Sequence, residues 1–280
     1  MRIRSFDEDK AILYLVATPI GNLEDMTYRA VRILKSVDKI YAEDTRTSSY
    51  LLKYYDIHTA IESYHEYNQD LKSEQILKEL NEGKKLALIS DAGLPVISDP
   101  GYKIVCLAIQ NNIAVSTVPG ASAAVSALVS SGLAPMPYTF AGFLDAKKTK
   151  RIKQLENLKY LPYTLIFYEA PHRIKEMLTD VLDVLGDRAI VLARELTKSY
   201  EEFVRGKVSE VLQTLPLKGE MVVLIEGYEG PVLQGDPCQK VDELILTGLK
   251  TSEAIKEAAK LFSLNKNELY QRYIDYKNNQ

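Results

Sequence analysis

Acidic and small residues follow four apolar runs in the first half of this 280-residue chain. Glu43, Asp44 and Arg46 come directly after one run, and such a cluster serves equally well as a helix cap or as a functional group. Residues 90–93, Ser-Asp-Ala-Gly, come after another run and leave an open floor with one acid. A floor of this kind lets a ligand lie against the backbone while a carboxylate accepts its hydrogen bonds.

Two further segments have the composition of backbone that approaches a ligand. Residues 18–22, Thr-Pro-Ile-Gly-Asn, turn sharply after the first apolar run, although a simple strand-to-helix turn explains them when they are taken alone. Residues 118–124 place Gly120 and several small side chains at the start of a helix, where free N–H groups face a bound molecule. Packing of that helix on a sheet explains the same small residues, and both explanations can hold together.

Alternating strands and helices are predicted to position these four segments. The predicted strands are residues 11–18, 39–42, 60–64, 85–90 and 114–118. Between them, helices begin at Thr27 and Thr45, and another covers residues 70–81. A further helix is expected to begin with Asp99 as its cap and Pro100 at its first position. The alternation predicts a mainly parallel sheet, and ligands bind such sheets at the carboxyl ends of the strands.

A second α/β domain and a helical tail are predicted for the rest of the chain. The strands expected in this domain are residues 138–142, 164–168, 189–193, 202–205 and 221–225, and a strongly charged helix is expected over residues 145–159. Residues 227–237 contain three Gly and two Pro, which indicates a linker. Helices over residues 241–249, 252–262 and 266–276 follow it. The predicted domains are therefore residues 1–133, 134–229 and 230–280.

Composition excludes several classes of protein. A hydrophobic fraction of 46% and a charged fraction of 26% are ordinary for a folded, soluble chain, and a net charge of −3 excludes a uniformly basic nucleic-acid coat. Two isolated cysteines, Cys106 and Cys238, and three histidines predict no metal site and fit a reducing cytosol. We expect neither a signal peptide in the acidic first ten residues nor a membrane-spanning segment. The GxGxxG, GxxxxGK[ST], GxSxG and HExxH motifs are absent from the sequence.

Several long motifs, in order, resemble those of one enzyme family. They are LVATPIGNLEDMTYRA at 15–30, YAEDTRTS at 41–48, SYHEYN at 63–68, LISDAGLPVISDPGY at 88–102, VPGASAAVSAL at 118–128, FYEAPHR at 167–173 and ARELTK at 193–198. Together they resemble the tetrapyrrole-methylase-fold family of S-adenosylmethionine-dependent methyltransferases (class III), and within it the branch that acts on ribosomal RNA. The resemblance covers residues 11–226, and the helical tail is compatible with it.

This resemblance implies an activity, a cofactor and an assembly. The activity is 2′-O-methylation of a cytidine in the decoding region of the small-subunit (16S) rRNA, with the 30S subunit as partner. The assembly is a cytoplasmic homodimer whose cofactor lies in a cleft between the two α/β domains, without a membrane or DNA partner. Cofactor-binding residues carried over from the matching motifs are Pro19, Ser90, Asp91, Ala92, Gly93, Ile97, Ser122, Ala123, Phe143, Pro171 and Ala193.

Methyl transfer to a ribose hydroxyl needs an aligned donor and acceptor, and a base that removes the hydroxyl proton assists it. The sequence offers several acids and does not choose among them: Glu43, Asp44, Asp91, Glu169 and Glu195. Of these, we name Glu43, Asp44 and Glu195 as the catalytic candidates. No metal is required.

RNA contact is expected from basic and aromatic side chains. Residues 145–159 carry six basic and two acidic side chains, a net of +4, and we favour phosphate contact over a merely solvated helix face. The residues expected to contact RNA are Arg46, His65, Lys147, Lys148, Lys150, Arg151, Arg173, Arg194 and Lys198. Tyr64 and Tyr67, beside His65, either stack on an extruded base or pack inside the fold.

Three questions stay open at the level of sequence. The tail has the pattern of a helix–turn–helix, but Lys and Arg exceed Asp and Glu by only six to four over residues 250–280, which favours a packing module that also touches the ribosome over a DNA reader. A small-molecule methyltransferase acting on tetrapyrroles would share the fold and the cofactor. A non-enzymatic RNA-binding or ribosome-assembly module would not need the open floors at residues 90–93 and 122–123.

Overall fold

The computed structural model describes residues 10–216, 218–229, 236–262 and 264–278. The chain forms two compact units, the first from Met1–Ala127 and Arg194–Glu202, the second from Leu128–Ala193 and Phe203–Gln280. Each unit contains one five-stranded sheet, and helices end the chain, which confirms the predicted fold class. The predicted domain limits stay predictions. The expectation that no signal peptide is present concerns residues 1–9, which lie outside the described residues.

The first sheet is parallel throughout. Its strands are β1 (Ile12–Val16), β2 (Lys39–Ala42), β3 (Ile61–Ser63), β4 (Lys85–Ile89) and β5 (Ala114–Val118), in the order β3-β2-β4-β1-β5. The last residues of neighbouring strands are in register, since Val16 pairs with both Ile89 and Val118. The segments that follow β1, β4 and β5 therefore start at the same level of one sheet edge.

Helices cover both faces of this sheet. They are α1 (Tyr28–Ser36), α2 (Thr45–Tyr54), α3 (Gln69–Asn81), α4 (Tyr102–Gln110) and α5 (Ala123–Ser131), with one turn of 3-10 helix at Leu23–Asp25. Alternate residues of β4 explain the two layers: Ala87 and Ile89 lie in one core cluster, and Leu86 and Leu88 in the other. The predicted cap of α1 is confirmed, because the Thr27 side chain accepts from Ala30 N at 3.1 Å.

The start predicted for α4 is wrong. The helix begins at Tyr102 with Gly101 as its cap residue, so Asp99 caps nothing. The chain instead makes a tight turn in which Val96, Ser98 and Gly101 have positive φ angles of 79°, 68° and 143°. Gly101 packs so closely that a Cβ there would lie 2.8 Å from side-chain atoms of Leu88 and Val96. Packing of this turn on β4 overrides the local Asp-Pro signal and leaves the Asp99 carboxyl available for other contacts.

The second sheet has the order β6-β7-β10-β8-β9. Its strands are β6 (Tyr138–Phe143), β7 (Thr164–Glu169), β8 (Ala189–Arg194), β9 (Glu202–Lys207) and β10 (Met221–Ile225), and its helices are α6 (Lys148–Leu158), α7 (Ile174–Leu185) and α8 (Val208–Leu212). β6 and β7 are parallel, so residues after both lie at the same edge, whereas β7 and β10 are antiparallel. Leu165 and Phe167 of β7 bury their side chains against α7 in a continuous core.

Three helices form the C-terminal part of the second unit: α9 (Pro237–Leu246), α10 (Thr251–Leu261) and α11 (Lys266–Asn278). The first begins four residues earlier than predicted, because the Asp236 side chain accepts from Cys238 N at 3.1 Å and Pro237 fits the first turn. Of the predicted linker, residues 230–235 lie outside the described residues. Gly227 at its start is packed, since a Cβ there would lie 2.4 Å from the carbonyl carbon of Pro162.

Candidate functional site

The loops that follow β1 and β4 are bonded to each other at the carboxyl edge of the first sheet. Thr18 N donates to Gly93 O at 2.9 Å, and Gly93 N returns a bond to Thr18 O at 3.1 Å. The Thr18 hydroxyl donates to Ser90 O, and the Ser90 hydroxyl donates to Gly93 O, both at 3.1 Å. Four of the predicted cofactor residues, Ser90 to Gly93, are thus held beside Pro19 in one rigid arrangement.

Two glycines let the loop after β5 approach the same place. A Cβ on Gly120 would lie 2.8 Å from the Ala17 Cβ, a distance that no side chain tolerates, so the approach requires glycine. Gly93 has a φ of +80°, and a Cβ there would lie 3.3 Å from Ile20 Cγ2 and 3.4 Å from Ala121 O. The loops after β1, β4 and β5 therefore meet in a floor made of small residues and backbone. Ser122 ends the last of these loops, and Ala123 begins α5.

Carboxylates lie along one side of this floor. Asp44 N donates to Asp91 Oδ1 at 3.3 Å, which brings the loop after β2 to the loop after β4. Burial, followed by the charge of Asp91, raises the pKa of Glu43. Burial is also the largest cause that raises the pKa of Asp91. Because the charges of Glu43 and Asp91 repel each other, a cation bound beside them is stabilised.

Asp44 differs from its neighbours because it has a cation of its own. Arg46 donates to Asp44 through Nε at 3.1 Å and Nη2 at 2.8 Å, and its backbone N donates at 2.8 Å. These bonds lower the pKa of Asp44 to about 2, so this carboxylate is a weak base at neutral pH. Of the two alternatives for this cluster, the capping one holds for Asp44, the cap residue of α2.

Asp99 joins the carboxylates and was not among the predicted site residues. Burial, followed by the charge of Glu43, raises the pKa of Asp99 to about 7. Its tight turn also carries the predicted cofactor residue Ile97, which is about half exposed. The sequence did not predict that Asp99 joins the carboxylates, because an Asp-Pro pair is already explained as a helix start. The tight turn before α4, with Gly101 as the cap residue, shows that the Asp99 carboxyl caps no helix.

The predicted cofactor residues of the second unit follow two parallel strands. Phe143 ends β6 and is 53% exposed, and Pro171 follows β7 in an exposed turn. A bulge between Phe140 and Gly142 turns both Phe140 and Phe143 onto the Tyr168 ring, with centroid distances of 5.0 and 5.6 Å. The third residue, Ala193, is fully buried within β8.

Two residues named from the sequence, Arg173 and Glu169, form an ion pair near the ends of β6 and β7. The Arg173 Nε lies 3.3 Å from Glu169 Oε1, and its Nη2 donates to Leu144 O at 2.7 Å. The Glu169 carboxylate also accepts from Ala170 N at 2.9 Å and is buried. Arg173 therefore ties the end of β6 to the start of α7, and we do not carry it into the RNA-contacting surface.

The basic helix α6 divides its predicted RNA contacts into two groups. Lys147, Lys148 and Lys150 are exposed, whereas Arg151 is only 2% exposed. Arg151 Nε donates to Asp180 Oδ2 at 2.7 Å, and its Nη1 donates to Ala146 O at 3.0 Å. Arg151 therefore anchors the helix and is also left out of the proposed surface. Its position was visible in the sequence, because Leu155 and Leu158 follow at helical spacing on the same face.

The remaining predicted RNA contacts lie in the first unit and have varied surroundings. Arg46 is the most open, with a side chain that is 91% exposed beside Asp44. Arg194 is paired with Glu202, and the Lys198 Nζ lies 3.1 Å from Glu195 Oε1. His65 is half-buried beside Tyr67, and the rings lie 6.1 Å apart. Tyr64 is fully buried, so of its two interpretations the packing one is right, while Tyr67 is exposed.

The described residues contain neither a candidate metal site nor a helix that could span a membrane. Within residues 10–216, 218–229, 236–262 and 264–278, no group of three or more His, Cys, Asp or Glu side chains is arranged to hold a metal ion. Across the same ranges, no helix is long and apolar enough to cross a membrane.

Comparison with known proteins adds the family. The model of the tetrapyrrole (corrin/porphyrin) methylases matches residues 12–212, which is more than half of the chain. The chain belongs to the tetrapyrrole methylase family. This is a family of S-adenosylmethionine-dependent methyltransferases, as the resemblance of the motifs predicts. A second model, the RsmI C-terminal HTH domain, matches residues 236–277 and so covers α9 to α11.

Relatives match along nearly the whole chain. The ribosomal RNA small subunit methyltransferase I of Halalkalibacterium halodurans is 46% identical over 276 residues, which are 95% of this chain and 96% of that protein. The protein of the same name from Bacillus subtilis is also 46% identical over 276 residues, with 95% and 94% covered. This identity confirms that the chain falls in the ribosomal RNA branch of the family.

Solved structures share the fold at low sequence identity. A diphthine synthase is 11% identical with a TM-score of 0.61, and the match covers 77% of this chain and 89% of that one. The uroporphyrin-III C-methyltransferase of Thermus thermophilus, solved with S-adenosylhomocysteine, is 17% identical with a TM-score of 0.55, covering 77% and 96%. These similarities confirm the fold and carry no further assignment.

Proposed function

We propose that this protein methylates the 2′-oxygen of a cytidine in the decoding region of small-subunit (16S) rRNA, with S-adenosylmethionine as methyl donor. The observation that carries the proposal is the floor of small residues at the carboxyl edge of the first sheet, with acids along one side. Full-length relatives at 46% identity that are named ribosomal RNA small subunit methyltransferases I support the choice of substrate.

The floor fits this cofactor in shape and in charge. S-adenosylmethionine carries a cationic sulfonium and an ammonium group, and Glu43, Asp91 and Asp99 supply carboxylates whose ionisation a cation favours. Gly93 and Gly120 keep the floor open to the backbone. When bound, the cofactor supplies an electrophilic methyl group. The residues of the floor contribute by holding it in line with an incoming oxygen, which accounts for about 7–11 kcal/mol of a barrier of this type.

A polyanion must be held by a protein of net charge −3, so the basic charges must be concentrated. On α6, Lys148 and Lys150 lie within 4 Å of carboxylates but keep side chains that are 64% and 68% exposed. Lys147 and Lys153 have no carboxylate within ion-pair distance in the described part of the chain. We assign phosphate contact to these four lysines, because their ammonium groups remain open to solvent.

A homodimer and a cytoplasmic location complete the proposal. Both follow from the resemblance to a ribosome-modifying branch, since assembled small subunits are found in the cytoplasm. Light scattering of the purified chain tests the dimer: a mass near twice 31.5 kDa is expected, and a mass near the single chain contradicts it.

The test of the activity is transfer of a labelled methyl group from S-adenosylmethionine. Small subunits from cells that lack this protein are offered in one reaction, naked 16S rRNA in a second and a uroporphyrin-type macrocycle in a third. The proposal expects label in RNA and none in the macrocycle. Label in the macrocycle alone supports the small-molecule alternative, and a chain that fails to bind S-adenosylmethionine in calorimetry supports the non-enzymatic one.

A further inference from the structure

One segment of the first unit follows a strand of the second sheet in sequence and packs on the loop after β1. Arg194–Glu202 lies between β8 and β9 in sequence, yet its contacts place it in the first unit. It carries the carboxylate of Glu195 and the ammonium group of Lys198, three residues apart. The inference drawn from this segment rests on the proposed function, because it concerns the proton that the ribose hydroxyl must lose.

Lys198 lies directly on the loop that follows β1. A Cβ on Gly21 would lie 2.6 Å from Lys198 Cγ, 2.8 Å from Lys198 Cε and 3.0 Å from Thr197 Oγ1. The lysine stem therefore occupies the space that any other residue at position 21 would fill. Gly21 is next to Ile20, whose Cγ2 lies against Gly93 of the floor. A continuous series of contacts thus joins Lys198 to the segment that is proposed to hold the cofactor.

The backbone of the segment is held in an uncommon shape. Glu195 and Thr197, neither of them glycine, have positive φ angles of 50° and 67°. Thr197 N donates to Glu201 Oε2 at 2.7 Å, and Lys198 N donates to Glu195 O at 3.0 Å. Strained conformations of this kind persist where the surroundings over-determine them, and they cluster at functional sites. Here the strained turn allows the side chains of Glu195 and Lys198 to meet.

The two side chains meet as a pair that solvent still reaches. Lys198 Nζ lies 3.1 Å from Glu195 Oε1, and the side chains are 30% and 20% exposed. The other acids suit the reaction less well. Asp44 is held by Arg46, while Glu43, Asp91 and Asp99 form the group that a cationic cofactor satisfies. Glu195 is the candidate acid whose partner cation, Lys198, lies against the loop after β1.

We propose that Glu195 accepts the proton of the ribose 2′-hydroxyl and that the Lys198 ammonium stabilises the negative charge that develops on the oxygen. The O–H bond breaks, the proton passes to the Glu195 carboxylate, and the oxygen keeps the electron pair that forms the bond to the methyl carbon. The carbon–sulfur bond breaks with its electron pair left on sulfur, so the loss of one sulfonium charge balances the loss of one carboxylate charge. Gly21 is the positioning residue that admits the lysine.

The test compares Glu195→Gln, Lys198→Met, Lys198→Arg and Gly21→Ala in the full-length chain. Single-turnover methylation of small subunits is expected to slow by about 10²–10⁴-fold in Glu195→Gln, with loss of its acid-side pH dependence. It is expected to slow by about 10²–10³-fold in Lys198→Met and to recover in part in Lys198→Arg. Calorimetry is expected to show wild-type affinity for S-adenosylmethionine in the Glu195 and Lys198 variants.

Two further readouts separate this role from others. If Lys198 only contacts phosphate, Lys198→Met lowers the slope of log K against log salt for RNA binding by about 0.7, whereas we expect the slope to stay unchanged. If Gly21 acts only by admitting the lysine, Gly21→Ala slows methylation when Lys198 is present. It then causes no further loss of rate in the Lys198→Met variant. Lys53→Met, an exposed lysine at the end of α2, is the matched control and should behave as wild type.

The inference is overturned if Glu195→Gln and Lys198→Met keep the wild-type rate, or if they lose rate only because cofactor affinity or RNA affinity falls. Far-UV circular dichroism and thermal melts show whether a slow variant is folded. A wild-type chain that does not methylate small-subunit RNA contradicts the proposed function itself, so the two failures are distinguished in one set of reactions.

Discussion

Arg151 provides the sharpest prediction, because its buried position contradicts what a basic helix face suggests. It is 2% exposed, and the Asp180 that it pairs with is 1% exposed. Removal of one partner of a buried ion pair leaves an uncompensated charge and costs about 3–5 kcal/mol. In Arg151→Met, Lys148 still lies 3.4 Å from Asp180 Oδ1, so we place the loss of unfolding free energy at the low end, about 3 kcal/mol.

The pairing also predicts a pattern across variants. Asp180→Leu alone should cost as much or more, because the Arg151 guanidinium then relies on Glu176 at 3.5 Å and two backbone carbonyls. The double variant Arg151→Met/Asp180→Leu should be more stable than either single variant, because an apolar pair of similar volume replaces both charges. Urea unfolding followed by far-UV circular dichroism measures all three free energies.

RNA binding gives a second measurement on Arg151→Met, in which no change is expected. Because Arg151 faces Asp180, Arg151→Met should leave the salt dependence of RNA binding unchanged once the protein is folded. The reasoning is refuted if Arg151→Met costs less than about 1 kcal/mol and lowers the salt slope by about 0.7, since an exposed phosphate contact behaves in that way.

Four further predictions concern the floor and the basic helix. The raised pKa of Asp99, about 7, means that affinity for the cationic cofactor rises with pH up to neutrality, by at most about tenfold per pH unit, and calorimetry should show a flatter profile for Asp99→Asn. The raised pKa of Asp99 also affects stability. Because the folded state binds the proton of Asp99 more tightly than the unfolded state does, the contribution of Asp99 to the free energy of unfolding falls as pH rises from about 4 to about 7. Asp99→Asn should weaken this pH dependence in urea melts. Gly120→Ala should cost about 1–3 kcal/mol in urea unfolding and weaken cofactor binding, because its Cβ would lie 2.8 Å from the Ala17 Cβ; wild-type stability would show that the loops separate freely. Lys147→Met and Lys153→Met should each lower the salt slope of RNA binding by about 0.7 without changing cofactor affinity, and unchanged slopes would remove α6 from the RNA surface.

Local patterns were sufficient for most of the elements. β2, β5 and β10 begin and end at the predicted residues, because short apolar β-branched runs there are bounded by polar or turn residues. The α4 start was wrong for the opposite reason: a local Asp-Pro signal was overridden by the packing of Gly101 against Leu88 and Val96. Capping signals are therefore trustworthy where no side chain from another element competes for the turn.

The contacts that define the candidate site depend on residues far apart in the sequence. Arg151 and Asp180 are 29 residues apart and lie on different helices, so a charge run could not reveal the pair. Gly21 and Lys198 meet only after the segment between β8 and β9 folds into the first unit. Periodicity reports which face of an element is buried, but it does not report which other element covers that face.

The central claim is that a cofactor methyl group passes to a ribose oxygen of small-subunit RNA, and nucleoside analysis tests it most directly. Small subunits are incubated with this chain and labelled S-adenosylmethionine, and their RNA is digested to nucleosides for mass spectrometry. The account predicts one labelled product, 2′-O-methylcytidine, from a decoding-region fragment. Label on a nucleobase, or no label in RNA from subunits that lack the modification, would contradict it.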